Sequence, residues 1–333
     1  MIFHPVVIAL LVGSVLTCGM LLYSAYYGGK ILKLWDLGSG SELQLNLERR
    51  TYLVSTVMSY AMAFQLLSLF LFVYTAEDMA RFIIGAMCAA GSLYANLWGY
   101  PALVLKILTF LLAGTWLVVN YADNRGYDYP LIKKKYALLL IIAPLGMADL
   151  IVQAGYFLSL NPDVITSCCG SLFTFSTGKT ENSIAALPQG PAEIMFYGGM
   201  GLTLVTGIVF YRTGRAGYLF SAASVAAMAA SMHALIAFIS PYFYELPTHR
   251  CPFCILQEEY GFVGYPLYLT LMVGTVAGLG VGATLPFRQI ASLSKVLPSL
   301  QRRLTLLALS SFFAFTALSV YGILASNLSL RGW

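Results

Sequence analysis

The sequence predicts an all-α polytopic integral membrane protein with about eight transmembrane helices. Three observations carry this. First, 59% of the 333 residues are hydrophobic and 10% charged, with mean hydropathy +0.78; soluble domains carry about 25% charged residues, so a soluble fold would lack polar surface. Second, the charges are bunched between apolar runs, each close to the roughly 20 residues that cross a bilayer as a helix. Third, lysine and arginine fall into alternate connections, as they do when cytoplasmic loops retain the positive charge. The chain 1–333 reads as one helical membrane domain in a lipid bilayer, and no feature points to nucleic acid.

The elements follow in order. Residues 1–29 lack a basic leader and run into an apolar stretch too long for a signal peptide, so 5–28 is a retained first span. Ser41 and Gln44 form a capping box leading into a second span at 51–75. Residues 82–100 are apolar but short for a span, and carry Asn96, Trp98 and Gly99 before Pro101. They predict a re-entrant or interfacial segment, tolerated at membrane depth where protein covers it. The third and fourth spans are 101–120 and 136–160, joined by a polar connection whose basic end (Lys133, Lys134, Lys135) anchors orientation. The last four are 192–211, 217–240, 263–285 and 304–326. Gly274, Gly278 and Gly282 mark a close-packing face on the seventh, and Ala222, Ala226 and Ala230 one on the sixth. No internal repeat is evident, against a transporter built of repeated halves.

With 82–100 left out of the count, one set of connections holds Lys30, Lys33, Arg49, Arg50, Arg125, Lys133, Lys134, Lys135, Arg212, Arg215, Arg288, Lys295, Arg302 and Arg303. The other set holds Arg81, Lys179, Arg250 and Arg331, with Lys106 inside a span. Fourteen against four places both termini on the outer side. Connections 76–100, 161–191 and 241–262 are then outer as well. They contain Cys88, Cys168, Cys169, Cys251 and Cys254, five of the six cysteines, while Cys18 sits mid-span. His249 is outer, and His233 lies about 10 Å below the outer end of its helix. Such a bias points to an outer-face site or to disulfides in an oxidising compartment, the periplasmic side of a bacterial inner membrane.

The stretch HRCPFCILQEEYGF at 249–262 carries the densest chemistry. Two cysteines at CxxC spacing can close a small ring. Pro252 suits the first position of a helix, which would set the Cys251 sulfur near that helix's positive end and lower its thiol pKa. Arg250 and a protonated His249 would act in the same sense, and a low-pKa thiol is a good leaving group in disulfide exchange. The vicinal pair Cys168-Cys169 would close a strained, easily reduced ring, which suits redox or soft-metal chemistry better than a structural role.

HRCPFCIL at the outer mouth of a helix resembles the redox motif of the membrane disulfide-forming proteins (DsbB type) and the vitamin K epoxide reductases. The resemblance implies a membrane thiol–disulfide oxidoreductase. Cys251 and Cys254 would be the quinone-proximal pair, and Cys168 and Cys169 the pair that meets a thioredoxin-like partner. Those families are built around a four-helix bundle and their shuttle cysteines are not vicinal. Cys88 has no counterpart in them. Vicinal cysteines in a membrane protein also resemble those of mercuric-ion transporters.

Two alternatives stand beside that reading. Cys168, Cys169, Cys251 and Cys254, with His249, form a donor set for zinc, copper or mercury. Alternatively the cysteines are structural disulfides tying two outer loops, which leaves one of five unpaired. Asp149, mid-span, is a candidate proton relay with His233, its other role being a bond to Lys106. Lys106 is expected to snorkel to the headgroups, and His233 to be a hydrogen-bonded packing residue. Glu258 and Glu259 could accept protons near Cys254, and Tyr260 and Tyr265 could line a quinone site.

Overall fold

The structure, a computed structural model, describes residues 4–36, 41–166 and 189–328. Its helices are α1 (Pro5–Leu34), α2 (Glu42–Ala80), α3 (Ala89–Tyr94), α4 (Gly99–Asp123), α5 (Ile132–Leu158), α6 (Gln189–Thr213), α7 (Gly217–Ala234), α8 (Ser240–Tyr244), α9 (Gly264–Thr284) and α10 (Val296–Ala325). A π-helical turn at Leu235–Ile239 fuses α7 and α8 into one span, and there is no strand among the described residues. Among the described residues, eight helices are long and apolar enough to cross a membrane, and side chains such as Ile194 and Phe313 are exposed along them. The protein is an all-α polytopic membrane protein.

Most helices outrun the spans read from hydropathy. α2 begins at Glu42 rather than 51, because a helix continues for as long as its backbone bonds do, whereas hydropathy marks only the apolar part. The backbone amide of Gln44 donates to the Ser41 hydroxyl, one half of the expected capping box. The Gln44 side-chain oxygen accepts from Asp36 N–H. Residues 82–100 form turns and the six-residue α3, a short interruption between two spans.

The chain forms two compact units. The first (Met1–Met79, Leu93–Pro162, Phe287–Pro298) is built on α1, α2, α4 and α5. α5 packs on both α1 and α4, and Trp116, Tyr136, Met58 and Leu139 lie in its core. Two buried ion pairs lie inside it. Lys106 donates to Asp149 at 2.8 Å and to the Ser68 hydroxyl, while Gln65 bonds the same Asp149 oxygen and Thr109. Lys135 meets Asp123 at 2.7 Å and donates to Ser55.

Two expectations are corrected here. Lys106 does not snorkel: it is fully buried, because a carboxylate one helix away is a closer partner than the headgroups. Lys135 is no surface anchor either, since its ammonium is buried against Asp123. Charge counting sees a basic run and cannot tell which member turns inward.

The second unit (Ala80–Ser92, Asp163–Pro286, Ser299–Trp333) is built on α6, α7–α8, α9 and α10, together with the segment that begins α3. α7 packs against α6 and α9. The glycine face of α9 is as expected: Cβ atoms added at Gly278 and Gly282 would fall 2.2 Å and 2.4 Å from the hydroxyl oxygens of Ser224 and Ser221. The expected α7 face is not. Ala222 and Ala226 are exposed, and the buried residues are Ala223, Ser224, Ala227, Ala230 and Ser231. A helix made almost wholly of small residues has too little polar contrast to give the phase of its buried face.

Candidate functional site: a buried cysteine–histidine cluster

The site lies within the second unit, where two connections converge. Segment 80–92 leaves α2 through turns containing Gly85 at φ +82°. A side chain there would collide with the backbone, since its Cβ would lie 2.1 Å from the Thr166 carbonyl oxygen. Glycine therefore lets residue 166 dock, and Thr166 N–H donates to Ile84 O at 2.9 Å. Three residues on, Cys88 precedes α3, its carbonyl accepting from the amides of Gly91 and Ser92.

The second connection starts where α8 ends at Glu245, whose left-handed backbone (φ 53°) reverses the chain. The Tyr244 hydroxyl donates to Cys251 O at 2.5 Å, and Tyr268 on α9 donates to Pro252 O at 2.6 Å. Tyr244 also contacts the His249 ring edge-on, with centroids 4.7 Å apart. The Gln257 side-chain amide donates to Met87 O at 2.7 Å, joining this connection to the residue before Cys88.

The result is three sulfurs within 4.8 Å of one another. Cys88 and Cys251 are 3.5 Å apart, and His249 Nε2 is 3.3 Å from Cys254 Sγ. Cys88, Cys251 and Cys254 are 0%, 1% and 5% exposed, and they are not joined to one another by a disulfide.

The thiols are strongly differentiated. Hydrogen bonds from Cys254 and Cys88, with help from the backbone amides of Phe253 and Cys254, hold the Cys251 thiol well below its ordinary range. Cys254 is pushed up, because its proton is committed to Cys251. Burial lowers the His249 pKa and keeps the imidazole neutral. A consistent proton arrangement follows: Cys254 donates to Cys251, Cys88 bonds Cys251 from the other side, and His249 Nε2 lies within hydrogen-bond reach of Cys254. One thiolate, two thiols and a neutral imidazole can exchange a disulfide or ligate a soft cation.

Two expectations about the motif are corrected. No α-helix opens at Pro252. The chain bends there, passes through 3₁₀ turns at Cys254–Leu256 and Glu258–Tyr260, and enters α9 only at Gly264. A CxxC whose first cysteine and following proline have their carbonyls tied by Tyr244 and Tyr268 does not take up the helical register. Nor does a charged His249 lower the Cys251 pKa, because burial disfavours that charge. Sulfur and amide donors have the effect instead.

Of the expected site residues, Cys251, Cys254, His249 and Cys88 come together, and Arg250 flanks them half-buried. Glu258 and Glu259 are exposed. Tyr260 meets Tyr244 edge-on with centroids 4.7 Å apart, while Tyr265 contacts Phe262. Asp149 belongs to the first unit, where Lys106 holds it. His233 precedes the π-helical turn, and its Nε2 is buried with no hydrogen-bond partner among the described residues, contrary to the packing bond expected of it. Cys168 and Cys169 lie outside the described residues.

Sequence reasoning missed Tyr244, Tyr268, Gln257 and Gly85. Tyrosine is so abundant here, with 22 copies, that no single one stands out. The place of Cys88 in the cluster has no sequence signal, because no spacing rule joins positions 163 residues apart. No protein family, curated protein or solved structure matches the chain.

Proposed function

We propose that the protein is a membrane thiol–disulfide oxidoreductase acting at the periplasmic face of a bacterial inner membrane. The observation that carries this is the three-thiol cluster, in which the Cys251 thiolate has a thiol partner on each side. Attack by a thiolate on a disulfide needs a low-pKa sulfur next to its resolving partners, and Cys251 has that environment.

In the exchange, two thiols become one disulfide, releasing two protons and two electrons to a membrane quinone, which becomes the quinol; the reverse reaction reduces the disulfide. Cys251 and Cys254 are the quinone-proximal pair, with Tyr260 and Tyr265 on the quinone side. Cys168 and Cys169 carry electrons to or from a thioredoxin-like periplasmic protein. Two features support this division. Thr166, two residues before Cys168, is bonded to the segment bearing Cys88. The cluster also sits in a unit with four spans, the number around which the disulfide-forming and vitamin K epoxide reductase families are built.

The test is differential alkylation of intact cells with a membrane-impermeant thiol reagent, before and after reduction, with peptide mapping. The expected result is that reduction from outside exposes new label on Cys168, Cys169, Cys251 or Cys254. Labelling of these cysteines only after the cytoplasmic side is opened would end the proposal.

A further inference from the structure

Three sulfurs within 4.8 Å of one another, with an imidazole nitrogen 3.3 Å from one of them, are also a ligand set. From this geometry we infer that Cys88, Cys251, Cys254 and His249 bind a single zinc ion when the cluster is reduced. The inference uses the same thiols as the exchange reading but requires no electron transfer.

Distance is the first argument. Around zinc at about 2.3 Å from each thiolate, tetrahedral sulfurs sit about 3.8 Å apart; in a disulfide they are about 2.05 Å apart. Cys88 and Cys251 are 3.5 Å apart and no sulfur pair exceeds 4.8 Å, so the cluster is open by the width that an ion fills.

Spacing is the second. Cys251-x-x-Cys254 has the close ligand spacing of structural zinc sites. His249 adds a nitrogen donor two residues before Cys251, and Cys88 completes the set from a connection 163 residues away. Three sulfurs and one nitrogen favour zinc over hard cations, which prefer oxygen.

The surroundings are the third. Outer groups that immobilise ligands are part of a working site. Here Tyr244 packs on His249 while its hydroxyl holds Cys251 O, and Tyr268 holds Pro252 O. The sulfurs are almost fully buried, and four protein ligands would fill the tetrahedral positions of a structural zinc site. Zinc with three thiolates and a neutral imidazole carries one net negative charge, and the half-buried Arg250 beside His249 supplies a positive one.

Binding replaces each S–H bond still present by a Zn–S bond and sends the proton to solvent; no electrons move. Oxidation of any two of the cysteines to a disulfide removes two ligands, so the ion leaves. Zinc occupancy and disulfide formation thus exclude each other, and the metal holds the cluster in its reduced form.

The test uses the full chain in detergent, reduced with a phosphine, loaded with zinc or with cobalt(II) as a spectroscopic probe, and dialysed. The expected results are one zinc per chain by elemental analysis and the ligand-field and thiolate charge-transfer bands of tetrahedral cobalt. Cys88→Ser and His249→Ala should each weaken binding by more than tenfold, Cys18→Ser should not, and Cys88→His should restore stoichiometry with shifted cobalt bands. That restoration separates loss of a ligand from loss of the fold. Substoichiometric zinc in reduced wild-type protein overturns the inference. So does zinc that survives Cys88→Ser but is lost in Cys168→Ser/Cys169→Ser, or copper(I) retained in preference with no dependence on His249. Stoichiometric zinc in a protein that no quinone can oxidise would sink only the exchange reading, and a reversible disulfide in a protein that holds no zinc would sink only this one.

Discussion

The sulfur of Cys88 lies 3.5 Å from that of Cys251, and both are buried. This changes what substitution at the CxxC should do. In a two-cysteine site, Cys254→Ser would leave Cys251 paired with whatever it attacked and trap a mixed disulfide. Here Cys88 resolves that adduct. Cys254→Ser should therefore give an intramolecular Cys88–Cys251 disulfide under oxidising conditions, seen by non-reducing peptide mapping. Only Cys88→Ser/Cys254→Ser should accumulate a mixed disulfide between Cys251 and Cys168 or Cys169, seen by the same mapping. Adduct formation by Cys254→Ser alone would mean that Cys88 plays no part.

The pH dependence has opposite signs at the two ends of the motif. The folded-state pKa of Cys251 lies below its unfolded value. Its thiolate therefore stabilises the fold above the ordinary thiol range, a contribution lost as pH falls through the lowered value. Cys254 is raised, so its protonated form stabilises the fold below the ordinary thiol range, and that is lost as pH rises through the raised value. In reduced, chelator-treated protein, the rate of Cys251 alkylation should stay near its plateau from about pH 9 down to neutrality, where a free thiol would already have slowed. Cys254 should stay unmodified across that window. Mass spectrometry of each site at a series of pH values reads both, and parallel titration of the two would refute the proton arrangement.

In the first unit, Lys106 and Asp149 test whether the buried pair is structural. Removing one partner of a buried pair typically costs about 3–5 kcal/mol, because the other charge is left uncompensated, whereas replacing both by apolar residues is often nearly neutral. Lys106→Met should destabilise by about that amount in detergent unfolding, and Lys106→Met/Asp149→Leu should recover most of it. If the double variant folds well but is inactive in an assay to which Lys106→Met responds only through stability, Asp149 has a role beyond packing.

The α7–α9 seam predicts a compensating pair. A methyl at Gly278 would meet both the Cβ and the hydroxyl of Ser224, at 2.5 Å and 2.2 Å, and neither can move away while α7 stays in place. Gly278→Ala should cost about 1–3 kcal/mol, the range for overpacking a tight interior. Ser224→Gly in the same chain should restore much of the loss by thermal denaturation, and failure to do so would place the strain elsewhere.

What the sequence made readable was whatever has a one-dimensional signature. Span number follows from hydropathy, and the Gly274, Gly278, Gly282 face follows from a four-residue glycine period. Cys251, Cys254 and His249 are legible as a group because they are close in the chain. Features decided by what lies across an interface were not legible. The α7 face came out one residue off because serine and alanine differ too little in polarity to set a phase. Lys106 and Lys135 were read as membrane anchors, since nothing local tells a lysine that a carboxylate waits on the next helix. Cys88 was seen as an outer cysteine, but its place beside Cys251 is created by Gly85, by Thr166 and by the Gln257–Met87 bond, and those contacts have no local pattern.

The long separation between Cys88 and its neighbours also has a consequence for biosynthesis. The ribosome releases Cys88 163 residues before Cys251, a delay of roughly 8 to 33 s at ordinary elongation rates. Throughout that interval an isolated sulfhydryl on a nascent chain has to survive oxidation and wrong pairing until most of the polypeptide has been inserted. The centre is therefore completed only after six of the described spans have been made, and a chain truncated before residue 251 would carry Cys88 without Cys251 and Cys254.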